Sequence, residues 1–193
     1  MYYKSIIIFT MVLFLFNCGV PPINPSPPES KIKKIEKEME LAAKKIIDNG
    51  GLAVFEFESS VKRGNAEAKA KIKAQVTLSQ IFGVAVQSLS KRFVEELGSD
   101  FEIEINEAFS SASKIITDEH LEGAMPRKSD YVSVNSKQGT IYHCYVLLAI
   151  DGTMQLLLKE VENKNKNLYE RMRMTDAMQE LEEEIEKNRK IKM

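Results

Sequence analysis

The chain has little of the residues on which most recognisable sites and cross-links depend. Its 193 residues include two cysteines, two histidines and no tryptophan. At most one disulfide could form within the chain, and the histidines and cysteines do not show zinc-ligand spacing. The Walker A, GxGxxG and GxSxG motifs are also missing. The motifs therefore predict no catalytic centre, no metal site and no cofactor.

An excess of either charge is also missing. The 27 lysines and arginines nearly balance the 28 aspartates and glutamates, so the net charge is −1. A general nucleic-acid binder usually carries a strong basic excess, and no nucleic-acid partner is predicted. The hydrophobic and charged fractions, 44% and 28%, are ordinary for a globular protein. At this length we expect one or two domains with a substantial core.

A short apolar run lies close to the N-terminus. Ile6 to Phe16 is apolar apart from Thr10, and Lys4 precedes it. A membrane-spanning helix needs about 20 apolar residues, so the run is too short to cross a bilayer. A charged start, a short apolar run and then Cys18 is an order typical of a secretory signal peptide.

The residues around Cys18 resemble a bacterial lipobox, Leu15-Phe16-Asn17-Cys18. By that resemblance, Cys18 is linked to diacylglycerol through a thioether, the peptide is cut before it, and its new amine is acylated, with palmitate as the expected chain. A lipidated Cys18 cannot form a disulfide, and Cys144 is then predicted to be a small buried hydrophobe. The alternatives are a signal peptide cut elsewhere and an uncleaved anchor.

A proline-rich stretch follows the cysteine. Residues 19–30 hold five of the six prolines, which predicts an extended, semi-rigid tether of about 37 Å at roughly 3.1 Å per residue. We expect four parts: a signal peptide (1–17), the lipidated cysteine and tether (18–30), an α+β domain (31–162) and a charged C-terminal helix (163–193).

The hydrophobic periodicity within the domain predicts an α+β fold. The first expected element is an amphipathic helix over 32–47. After it we expect, in chain order, a strand over 52–58, two helices over 65–97 and 99–119, and two strands over 121–134 and 141–150. We expect a sheet of about three strands in the order second–third–first. Two helices on the way from the first strand to the third make it a split β-α-β unit, for which a right-handed crossover is expected.

Two segments predict how the layers pack. The strand 141–150 is apolar on both faces, so helices should cover one face and something else the other. The helix 65–97 carries Ala66, Ala70 and Ala74 on one stripe, and these small residues should lie tight against the sheet. Asn65 is expected to cap this helix, and the pattern at 99–102 predicts a capping box for the next one.

Few residues are candidates for chemistry. His120 is expected to be an exposed or capping histidine. His143 and Cys144 are neighbours on a strand and should point to opposite faces, so they cannot pair as base and nucleophile. Glu56 and Glu58 could form an acid–base couple, but the solvent face or rim of an edge strand is expected for them. The serines of the two long helices are predicted on helix surfaces: Ser88, Ser90, Ser110, Ser111 and Ser113.

The C-terminal segment has two open interpretations. Asn163 to Asn167 is poor in helix formers and is expected to kink the helix, after which a thin apolar stripe continues. The helix either lies solvated against the domain or forms a coiled-coil-like arm that contacts a partner.

Three features together resemble a known family, the Helicobacter-type twenty-kilodalton surface lipoproteins. They are the lipidated N-terminus, the short strand 53–57 with the alanine-spaced helix 66–74 behind it, and the late strand 142–148 that leads into a final helix. The resemblance covers roughly residues 51–161, although the tryptophan expected within 123–134 is missing. It implies a small α+β domain exported to the envelope, and it supplies no catalytic residues.

The sequence therefore predicts a bacterial envelope lipoprotein, anchored through Cys18, whose domain is a non-enzymatic binding or scaffold module. The expected location is extracytoplasmic, at the outer membrane or cell surface. The expected partners are the membrane and another envelope protein. The alternatives are an envelope enzyme or secreted-type effector with a hidden site, and a small-ligand carrier with a pocket between the helix 65–97 and the sheet.

Overall fold

The computed structural model describes residues 28–121, 124–136 and 139–190. Cys18, the signal peptide over 1–17 and the tether as far as residue 27 lie outside the described residues. The described elements are, in chain order, α1 (Glu29–Ile47), β1 (Leu52–Ser60), α2 (Arg63–Leu97), a 3₁₀ turn (Ser99–Phe101), α3 (Glu102–Ile116), a π-helical turn (Thr117–Leu121), β2 (Lys128–Ser136), β3 (Gly139–Ile150), α4 (Thr153–Lys164), α5 (Lys166–Met172) and α6 (Asp176–Lys190).

The sheet confirms the predicted α+β fold and strand order. The order is β1–β3–β2, and β3 pairs antiparallel with both neighbours. β1 and β2 consequently run parallel to each other with β3 between them, which is a split β-α-β arrangement. The expected route was wrong in one respect: α2 and α3 connect β1 with β2. β3 is reached from β2, its sequence neighbour.

Both faces of the central strand are covered, as its apolar pattern predicts. Val146, Leu148 and Ile150 pack into the larger core with α2, α3 and α4. Tyr145 and Leu147 point the other way and pack against α1. Successive strand residues alternate between faces, so one apolar run serves two layers. The cover of the second face, left open by the sequence, is α1.

The alanine stripe of α2 lies tight against the sheet. Ala66, Ala70 and Ala74 have no exposed surface, and the stripe continues through bulkier buried residues as far as Phe93. A side chain of one carbon lets the helix backbone approach the strands closely. The expected cap was wrong, because α2 begins at Arg63 and no side chain caps its N-terminus.

This close approach predicts a penalty for a larger side chain. Ala70→Leu should lower the free energy of unfolding by about 1–3 kcal/mol, because a close-packed interface has no room for three more carbons. Ala68 is exposed on the same helix, so Ala68→Leu is the matched control and should change stability little. Urea titration of both variants measures the difference. Equal midpoints for the two would contradict the tight contact.

Two helix and strand boundaries differ from expectation. The predicted strand 121–134 begins only at Lys128, after a π-helical turn that ends at the buried Leu121. The Leu121 carbonyl accepts a hydrogen bond from the Gln75 side chain at 3.1 Å, which ties this turn to α2. Similarly, the first three residues of the predicted capping box, Ser99 to Phe101, form a 3₁₀ turn, and no side chain caps α3.

The C-terminal segment breaks where the asparagine run predicts a kink. Asn165 leaves helical geometry, and its side chain accepts a hydrogen bond from the Leu168 amide at 3.0 Å to start α5. Residues of α5 and α6 then enter the larger core: Leu168, Met172, Ala177, Met178 and Leu181. The last helix is therefore docked on the domain through residues of its first two turns. The Glu96 carboxylate also accepts a bond from the Ala177 amide at 3.1 Å.

Candidate functional site

A serine and a histidine on neighbouring strands are the described residues that most resemble a nucleophile and its general base. Ser59 of β1 lies opposite His143 of β3, and its Oγ is 2.7 Å from the His143 Nδ1. Ser59 is not predicted from the sequence, because the two residues are 84 positions apart and their pairing depends on the strand register. The only sign of it in the sequence is the alternation of side-chain direction along β1, which places Ser59 on the same face of the sheet as Phe55 and Phe57.

The pair lacks the support that an activated nucleophile needs. The His143 Nε2 is buried, and within the described part of the chain it has no hydrogen-bond partner. A catalytic base is normally oriented by a third group, which is missing at this atom. Burial also lowers the pKa of His143, which favours the neutral ring. The arrangement therefore provides a cross-strand hydrogen bond at the end of the sheet.

Glu56 and Glu58 point to the other face of the sheet and share a cation. Glu56 accepts a hydrogen bond from the Thr77 hydroxyl at 2.9 Å, and its other oxygen is 3.1 Å from the Lys73 ammonium. Glu58 lies 4.0 Å from the same ammonium. Glu56 is therefore a partly buried contact with α2, whereas a solvent-facing or rim position was expected. Since His143 projects from the opposite face, Glu56 and His143 do not converge on one cleft.

Cys144 and His120 lie as the sequence predicts. Cys144 is buried, its Sγ donates a weak hydrogen bond to the Arg63 carbonyl at 3.6 Å, and burial raises the pKa of its thiol. The thiol therefore stays protonated and acts as a packing group. His120 is exposed on the π-helical turn.

One of the helix serines was wrongly expected on the surface. Ser90 is buried, because α3 packs over it, and its hydroxyl donates a hydrogen bond to the Asn106 Oδ1 at 2.7 Å. The two residues lie at a surface groove of about 420 Å³ between α2 and α3. The groove also borders Lys91 and Glu102, so its walls are mixed in polarity.

A second groove follows the outer edge of β1. It has a volume of about 450 Å³ and is bordered by three elements: α1 (Ala43 and Ile47 among others), the β1 residues Ala53 to Glu56, and Thr77 of α2. We refer to it as the β1-edge groove. It differs from the pocket expected for a ligand carrier, because the contact between α2 and the sheet is filled by the buried stripe and the groove lies beside it.

Neither a metal centre nor a membrane-crossing helix is found in the part of the chain that the structure describes. No group of three or more His, Cys, Asp or Glu residues there could hold a metal ion. None of the described helices is both long enough and apolar enough to cross a bilayer. The resemblance to the twenty-kilodalton surface lipoproteins rests on the sequence pattern alone, since no protein-family model, curated protein or solved structure matches the chain.

Proposed function

We propose that this chain is a bacterial envelope lipoprotein, held to a membrane through Cys18, whose α+β domain is a non-enzymatic binding or scaffold module. The observation that carries the proposal is the position of Cys18. It follows directly after a short apolar run and directly precedes a proline-rich stretch. A leader, a lipidation site and a spacer are in the order that an anchored, exported protein requires.

The anchor works by burying hydrocarbon. Each methylene group that enters the bilayer contributes about 0.8 kcal/mol, and one acyl chain gives only reversible attachment. Diacylglycerol on the thiol plus an acyl group on the amine brings three chains, which is enough for stable attachment. The location that follows is extracytoplasmic, at the outer membrane or cell surface.

The surface of the domain supports a binding role. Some of its polar groups are engaged with one another, as in the Glu56–Lys73 and Ser59–His143 contacts. Several large apolar side chains are at least two-fifths exposed, among them Ile47, Phe57 and Val84. Contiguous apolar surface is typical of sites where another protein docks, and Ile47 lines the β1-edge groove together with Ala53 and Phe55. The expected partner, besides the membrane, is another envelope protein.

The test of lipidation uses the two cysteines as a matched pair. Cells that express the full chain are fed a fatty acid with an alkyne group, and the captured protein is examined for label. The natural protein and Cys144→Ala should both be labelled, because Cys144 is a buried packing residue. Cys18→Ala should lose at least nine-tenths of the label, since it removes the thiol that carries the diacylglycerol. Equal labelling of all three proteins would refute the anchor.

A further inference from the structure

We propose that the outer edge of β1 is a self-association site, where β1 of a second copy pairs antiparallel to form a six-stranded sheet. Within the described residues no strand pairs with this edge, because β1 ends the sheet order on its side. An edge strand presents unpaired backbone donors and acceptors, which makes it a template for another strand. The proposal is independent of lipid attachment.

The two edges of the sheet are protected to different degrees. β2 carries Lys128 and Asp130, and Pro126 lies just before it. Charged residues and proline are the usual means of blocking an edge. β1 has no proline, lysine or arginine, and its nine residues pair with β3 without a bulge. Its only charges, Glu56 and Glu58, lie beside Lys73 of α2. β1 itself therefore carries fewer of these blocking features than β2.

Lys73 limits the open edge to the N-terminal half of β1. Its ammonium contacts Glu56 on one face of the sheet and lies 5.4 Å from the ring of Phe57 on the other face. A group that is close to both faces must lie at the edge itself. On the N-terminal side of this contact, the β1-edge groove follows the partly exposed residues from Ala53 to Glu56.

Exposed apolar side chains of α1 and α2, on the two sides of the sheet, favour a second copy of the chain as the partner at the β1 edge. Ile47 of α1 borders the groove and is 49% exposed. On α2, Ile81 and Val84 follow the groove residue Thr77 by four and seven positions, which places them on the same helix face, and both are exposed. A single extended peptide would cover only β1. A second copy brings its own α1 and α2 to the same two flanks.

Symmetry limits the possible registers, and the length of the groove favours one of them. In an antiparallel pair, residues that lie opposite each other point to the same face of the sheet. A two-fold axis that keeps both α1 helices on one side of the joined sheet must therefore lie midway between a residue of β1 and the same residue of the second copy. With Val54 on the axis, Glu56 lies opposite Leu52 of the partner copy, and no glutamate faces another. This register uses Leu52 to Glu56, so Lys73 does not have to move. An axis through Glu56 would place the two Glu56 carboxylates opposite each other, which is unfavourable.

The test uses full-length chains in intact cells. Two versions with different C-terminal epitope tags are expressed together, and a photo-crosslinking amino acid is placed at Ile47 or, as a control, at Tyr131 on the β2 edge. Illumination should yield a product of twice the chain mass that carries both tags from the Ile47 position only. Ile47→Lys should reduce co-capture of the two tags about tenfold, because a charge would be buried at the joint. Ile103→Lys, at an exposed position of α3, should leave co-capture unchanged.

Three results would overturn the proposal. One is the absence of any two-tag product from the natural chain. Another is a crosslinked product from Ile47 that contains one copy joined to a different protein. The third is an equal loss of co-capture in the Ile47 and Ile103 variants at matched expression, which would show that added charge in general, and not this edge, controls association.

Discussion

Tyr145→Asp is expected to lower the melting temperature by about 10 °C or more, the loss of about 4 kcal/mol that a buried, unpaired carboxylate can cause in a domain of this size. Tyr145 lies in the middle of the central strand and is 3% exposed. It packs between β1 and α1, where its ring stacks on Phe57 at 5.6 Å. Burial and the nearby Glu36 carboxylate raise the pKa of the Tyr145 hydroxyl, so an aspartate there would be desolvated and close to a like charge.

The control for this variant is the same substitution on the sheet edge. Tyr131 of β2 is 40% exposed and contacts the Arg63 guanidinium at 4.0 Å from its ring centre. Tyr131→Asp leaves its charge in water, and it should lower the melting temperature by a few degrees at most. Thermal unfolding followed by circular dichroism compares the two. Similar melting temperatures for the two variants would contradict the burial of Tyr145.

Phe93→Ala is expected to destabilise the domain by about 3–5 kcal/mol, the usual effect of removing a buried phenylalanine and leaving a cavity. Phe93 of α2 has no exposed surface, and its ring lies 5.8 Å from that of Phe109 of α3. This contact joins the two long helices, and residues of α6 belong to the same core. The variant should therefore weaken the docking of the C-terminal helices as well as the α2–α3 contact.

Chemical denaturation with a fluorescence or circular dichroism signal measures this loss. Val84→Ala is the control, because Val84 lies on the same helix and is 63% exposed. It should change the free energy of unfolding by about 0.5 kcal/mol or less. If Phe93→Ala were as stable as Val84→Ala, the core between α2 and α3 would have to be loosely packed.

The parts of the fold that the sequence predicts are those whose residue pattern is compatible with only one way of packing. A strand that is apolar on both faces can only be central and covered, and 141–150 is the middle strand. A stripe of alanines has little use unless another backbone comes close, and α2 does approach the sheet. The asparagine run disfavours helix, and the chain breaks there at Asn165.

The parts that sequence does not predict depend on contacts between distant segments. The Ser59–His143 hydrogen bond requires the register of two strands, which no local pattern specifies. Ser90 was expected in solvent because its own helix gives no sign that α3 crosses above it. Likewise, the apolar stripe of the last helix does not say whether it docks on this domain or on a partner. The structure places it in the larger core.

Mass spectrometry of the protein extracted from the membranes of the cells that produce it tests the lipid anchor at Cys18 most directly. We expect the mature chain to begin at Cys18, and this residue to carry the added mass of a diacylglyceryl group and an amide-linked acyl chain. A chain that still begins at Met1, recovered unmodified from the soluble fraction, would contradict this expectation.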